Sequence, residues 1–144
     1  MRTLVLPLLA LATMFPACSR SQTLDPARLV GRWSGSGSFS SGDLQKKVGS
    51  LPFVAEFTPD RSGTGRVGQA TLQDVRMTPT RDQIEVRATL VGSVGADPAL
   101  AKNRLVLLVT RLDESTLQAE FHLKSNFTFD PGMREGRVVL TRVP

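Results

Sequence analysis

Leu117-Gln118-Ala119-Glu120-Phe121-His122-Leu123-Lys124 alternates apolar and polar side chains without a break. Successive side chains of a strand point to opposite faces, so this period of two puts Leu117, Ala119, Phe121 and Leu123 on a buried face and leaves the other four wet. Two further stretches repeat the pattern. Leu51, Phe53, Ala55 and Phe57 alternate with Pro52, Val54 and Glu56, and Ile84, Val86, Ala88 and Leu90 with Glu85, Arg87 and Thr89. One buried and one wet face is the habit of antiparallel sheets.

Weaker strands fill the intervals. Arg32 to Phe39 alternates Ser34, Ser36 and Ser38 with Trp33, Gly35, Gly37 and Phe39. Thr64 to Met77 shifts its apolar phase between Val67, Leu72 and Val75, which reads as two short strands or one strand with a bulge. Leu105 to Leu112 is apolar on both faces, and Arg137 to Val143 closes the chain. Turn residues separate these runs at Pro59–Gly63, Pro79–Asp82, Asp113–Ser115 and Asp130–Gly132. Gly92 to Asn103 is the one long connection, with room for a helical turn at Pro98 to Lys102. The expected fold is all-β: an antiparallel up-and-down meander of about eight strands, forming a small barrel or a strongly curled sheet.

The N-terminus reads differently. Arg2 precedes an apolar run from Leu4 to Phe15, too short for a helix crossing a bilayer, which takes about 20 residues. The run suits a secretory signal. Phe15-Pro16-Ala17-Cys18 resembles the bacterial lipobox, in which a small residue precedes a cysteine that becomes lipidated. Cys18 is the single cysteine of the 144 residues, so it has no partner within the chain for a disulfide. Ser19, unlike an aspartate, resembles the residue that permits sorting to an outer membrane. Simple secretion, with cleavage after Ser19, is the alternative. The expected organisation is a signal peptide over residues 1–17, a lipidated cysteine and polar tether over 18–24, and one barrel-like domain over 25–144. The expected location is the bacterial cell envelope, facing periplasm or exterior, with the membrane as partner through Cys18.

Charge and composition restrict function further. Without residues 1–17 the chain keeps seventeen basic side chains against thirteen acidic. The basic residues are spread along the strands, and only seven Phe and one Trp are available for stacking on bases. Nucleic acid is therefore not an expected partner; a modest attraction to anionic envelope surfaces is.

Leu24-Asp25-Pro26-Ala27-Arg28-Leu29-Val30-Gly31-Arg32-Trp33 resembles the opening of the lipocalins and the wider calycin group, in which Gly-x-Trp follows a short helical turn. The residues agree locally, since Asp25 is a good N-cap and Pro26 suits the first helical position. The resemblance implies an eight-stranded barrel with Trp33 closing its floor beneath an arginine of the last strand, for which Arg142 is the candidate. Gly31, Trp33 and Arg142 are then structural. It also implies a small apolar ligand between the inward faces, near Trp33, Gly35 and the small inward residues Ala55, Ala88 and Ala119. Gly35 and Gly37 would either bend the strand for barrel closure or make room for the indole or a ligand.

The chemistry of catalysis is sparse. His122 is the only histidine, expected on the wet face with Glu120 and Lys124. Glu120-x-His122 holds a metal only with ligands from elsewhere, and no metal or cofactor is expected. Gly63-Thr64-Gly65 lacks the lysine and helix of a phosphate loop and reads as a turn. Asn126-Phe127-Thr128 has the letters of a glycosylation sequon. Two functions fit: a non-catalytic barrel binding a small apolar ligand, or an interaction protein with a filled core. The second would contact an envelope protein through Val106, Leu108 and Leu112 or through the Gly92–Asn103 loop.

Overall fold

The computed structural model describes residues 24–126 and 129–144. The expected signal peptide, Cys18 and the expected tether up to Thr23 lie outside the described residues, as do Phe127 and Thr128 of the sequon letters. Eight strands follow one another: β1 (Gly31–Phe39), β2 (Leu51–Phe57), β3 (Gly63–Val67), β4 (Ala70–Pro79), β5 (Ile84–Val91), β6 (Arg104–Leu112), β7 (Thr116–Lys124) and β8 (Arg134–Val143). Each pairs antiparallel with the next. β8 returns to β1 in a register running from Arg32 opposite Val143 to Phe39 opposite Gly136. The meander is thus a closed barrel rather than an open curled sheet, its shortest seam being the two-residue pairing of β3 with β4.

The sequence alternation becomes the inside and outside of the wall. In β2 every odd residue from Leu51 to Phe57 is buried and every even one exposed, and β5 and β7 bury Ile84, Val86, Ala88, Leu90, Leu117, Ala119, Phe121 and Leu123. The phase shift between Val67 and Val75 has two causes. A two-residue turn at Gly68-Gln69 separates β3 from β4, and a bulge between Gln73 and Arg76 puts Asp74 at φ 53°. The extra residue turns Val75 inward again. Gly63-Thr64-Gly65, expected as a turn, is instead the start of β3, paired with Ala55, Glu56 and Phe57.

β6 corrects another expectation. A second bulge, between Val109 and Arg111, shifts the outer positions by one, and Leu112 pairs with Leu117 on the core side. Leu112 therefore leaves the supposed contact face. Val106 is itself buried and Leu108 half-buried, so that wall presents little apolar surface.

Both ends of the barrel are covered. At the floor, a single helical turn at Pro26–Leu29 is capped by Asp25, whose Oδ1 accepts from the Ala27 N–H at 2.9 Å, and Leu29 is buried beneath it. At the opposite end, the mouth, two pieces lie across the opening. One is helix α1 (Gly42–Val48), which alternation could not reveal because it buries only Leu44, with Val48 partly buried against the core four residues on. Ser41 caps it by accepting from the Leu44 N–H, and the Gln45 Oε1 accepts from the Phe39 N–H at 2.8 Å. The other piece is the β5–β6 connection, whose helical turn is confined to Pro98–Leu100 and which buries Val94 and Leu100. The eight strands and both covers pack around one core among the described residues. Among the described residues no helix is long and apolar enough to cross a membrane.

Candidate functional site

Trp33, near the floor end of β1, is fully buried, and its Nε1–H donates to the Leu29 carbonyl at 2.8 Å. Arg142 of β8 lies over the indole, its guanidinium carbon 4.3 Å from the ring centroid. The same guanidinium donates to the carbonyls of Val30 (Nη1, 2.7 Å), Arg28 (Nη2, 2.8 Å) and Glu114 (Nε, 2.8 Å). One side chain thereby ties the helical turn, the entry to β1 and the β6–β7 turn into a single plug. Gly31 is required in this place for two reasons. Its φ of 128° disfavours any side chain, and a Cβ would stand 2.6 Å from the Arg142 Nη1. The floor is sealed, and its groups do structural work.

Inside the wall the room left by glycine is occupied by protein. A Cβ on Gly37 would meet the Phe121 ring at 2.8 Å and the Phe53 ring at 3.0 Å, and one on Gly136 would meet Phe121 at 2.6 Å. On Gly35 it would meet the Val139 carbonyl at 2.1 Å and a Leu140 methyl at 3.1 Å. Phe121 stands edge-on to Phe39, with centroids 5.5 Å apart, and tilted against Phe53 at 5.3 Å. The register does not bring the three inward alanines together. Ala55 lies between Trp33 and Gly65, Ala88 beside Leu105, and Ala119 between Val109 and Val138. Each of the three is buried among larger or backbone neighbours.

The mouth carries a larger cleft than those at the floor and on the wall beside β7 and β8 among the described residues. A cleft of about 370 Å³ runs between the C-terminal end of α1, the start of β2 and the β5–β6 connection, within the usual size range of small-molecule sites. Val48, Leu51, Pro52, Val94 and Leu100 give it apolar walls, and Lys47 and Asp97 face each other at its rim with Nζ and Oδ2 3.2 Å apart. The Gln69 N–H donates to the Val94 carbonyl, which pins the long connection to the β3–β4 turn. The Ala99 N–H and then Lys47 hold the Asp97 carboxyl below its ordinary pKa. Sequence reading missed Val94, Leu100 and Leu44 as cover residues. The available signal was isolated apolar residues inside polar connections, which carries no period.

His122 differs from expectation. Rather than standing in water, its side chain is 18 % exposed, with Nδ1 3.3 Å from the Met133 Sδ and 3.8 Å from Glu135 Oε2. The first residues of β8 and the segment before it fold over the ring, which pairing of β7 with a later strand could not foretell. No group of three or more metal-ligating side chains comes together among the described residues.

The turns on either side of β7 carry two strongly acidic carboxyls. Asp130 accepts from the Ser125 N–H at 2.8 Å and from the Lys102 Nζ at 3.0 Å, and these hold its pKa at about 2. Asp113 is held at about 2 by the Thr116 hydroxyl and by the Ser115 and Thr116 N–H groups. A carboxyl whose folded pKa lies below its unfolded value stabilises the fold fully above about pH 4, and that stabilisation disappears as pH falls through about 2. Fluorescence-monitored unfolding against pH should therefore show stability declining between about pH 4 and 2. Asp130→Asn should make that decline shallower; an identical slope would remove the carboxyl from the acid response.

Fold and site together define an eight-stranded antiparallel up-and-down β-barrel, plugged at its floor by an arginine–tryptophan pair and carrying a partly apolar cleft at its mouth. No family model, curated protein or solved structure matches the chain.

Proposed function

We propose that this is a lipocalin-like, non-catalytic binding protein of the bacterial cell envelope, anchored through a lipidated Cys18, with a small apolar ligand held in the mouth cleft rather than deep in the barrel. The observation that carries this reading is the cleft of about 370 Å³ with apolar walls and one ion pair at its rim. Such a mixture suits a ligand with an apolar body and one polar end. The Gly31-x-Trp33 opening, its helical turn and the Arg142 guanidinium over the indole support the lipocalin-like assignment. A second reading, an interaction protein with a filled core, draws on Phe121 occupying the room beside Gly37 and Gly136.

Calorimetric titration of residues 24–144 with a panel of fatty acids and quinones tests the site. Ala96→Trp, from an exposed rim position, should fill the cleft and abolish binding while leaving the thermal midpoint within a few degrees. Absence of binding across the panel, or unchanged binding by the variant, would favour the second reading. For the anchor, Cys18→Ser should move the processed protein from the membrane fraction to the soluble one, and unchanged partitioning would dispose of lipidation.

A further inference from the structure

The two ends of the barrel carry opposite charge. The connections at the mouth, with their flanking strand residues, hold six basic side chains (Lys46, Lys47, Lys102, Arg104, Lys124 and Arg134) against three acidic ones (Asp43, Asp97 and Asp130). At the floor, with the turn ahead of β1 and the plug's Arg142 included, four basic side chains (Arg28, Arg61, Arg81 and Arg142) stand against five acidic (Asp25, Asp60, Asp82, Asp113 and Glu114). Two of the mouth carboxylates are engaged by mouth lysines, Asp97 by Lys47 at 3.2 Å and Asp130 by Lys102 at 3.0 Å. A net positive end and a net negative end give the molecule a direction in any anionic field.

The most exposed large apolar side chain among the described residues also lies at the mouth, although Val54 and Val139 are exposed on the wall and Val143 at the floor. Phe129 is 75 % exposed, the one aromatic side chain among the large exposed hydrophobics of the described residues, and it stands in the β7–β8 connection on the mouth side. Bonds on either side hold its backbone out. The Phe129 N–H donates to the Asn126 Oδ1 at 2.9 Å, and the next residue, Asp130, is fixed by the N–H groups of Ser125 and Gly132 and by Lys102. Val91, at the mouth end of β5, is a second exposed apolar side chain.

The geometry points to the mouth rim as a docking surface for an anionic lipid bilayer, with Phe129 entering the headgroup region and the rim lysines and arginines facing lipid phosphates. A bilayer fits better than an acidic protein for a physical reason. Stable protein interfaces need a contiguous packed centre, whereas this rim offers separated apolar points among dispersed cations. A fluid surface accepts that arrangement without shape complementarity. The inference concerns the end of the barrel opposite Leu24 and does not depend on lipidation or on a ligand in the cleft.

Flotation of residues 24–144, which lack Cys18, tests it with vesicles of phosphatidylcholine alone and with roughly 30 % phosphatidylglycerol added. Binding should require phosphatidylglycerol and fall away between about 50 mM and 500 mM salt. Lys46→Glu with Lys124→Glu should weaken binding by an order of magnitude or more, at about fivefold per basic side chain removed. Phe129→Ser should also weaken it severalfold, and Phe129→Trp should show a blue-shifted emission component on vesicle addition. Arg81→Glu, at the floor, should leave binding unchanged. Equal binding to neutral vesicles, or anionic binding indifferent to both the rim reversal and Phe129→Ser, would overturn the proposal. So would capture of an acidic protein by the same rim with no vesicle association.

Discussion

Arg142→Ala is expected to destabilise the barrel by about 2–4 kcal/mol, read as a fall in the urea midpoint at unchanged slope. The guanidinium supplies three hydrogen bonds, to Arg28, Val30 and Glu114, and one face of contact with Trp33. Its removal leaves those carbonyls without that donor and opens the floor above the indole. Trp33 emission should shift to the red, because water then reaches a ring that is now wholly buried. Arg142→Lys separates charge from geometry. An ammonium can keep the cation over the ring but cannot reach three carbonyls lying in different directions, so less than half of the loss should be recovered. Full recovery by lysine would mean that charge alone matters, and a loss under about 0.5 kcal/mol would mean that the plug is ornamental.

Phe121→Ala should be the most damaging single change in the wall, at about 3–5 kcal/mol. The ring is fully buried between Phe39 and Phe53, and two of its other neighbours are the glycines at 37 and 136. Glycine has no side chain to relax into the vacated space, so the site should collapse poorly and the loss should fall in the upper part of that range. The cavity should stay dry and take up a small apolar probe such as benzene, seen as a thermal shift absent from the unsubstituted protein. A loss below about 1.5 kcal/mol, with no probe effect, would show that the interior is not organised around this ring.

How much of this was legible varies from element to element. β2, β5 and β7 declare themselves by alternation, because a wall with one dry and one wet face imposes a period of two on the residues that build it. The floor was legible through ten residues, Leu24 to Trp33, since its cap, proline and glycine each have a local backbone reason to be there. Leu112 was misplaced because a bulge advances the period by one residue, and bulged residues carry no sequence mark of their own. His122 was misplaced for a different reason: alternation assigns a wall face but does not say what folds across it. Helix α1 went unseen because two turns that fully bury one leucine have no measurable period.

The sequence by itself determined the number and wall faces of the strands, which residue type and spacing set, while the tryptophan–arginine plug was implied by the resemblance of Leu24–Trp33 to the lipocalin opening. Only the tertiary structure decided that the sheet closes, that Phe121 fills the space beside Gly37 and Gly136, and that an apolar-walled cleft forms at the mouth. These depend on register and on contacts between residues far apart in the chain. A period of two fixes which side of the wall a side chain faces, but which neighbours it meets there is settled only when β8 pairs with β1.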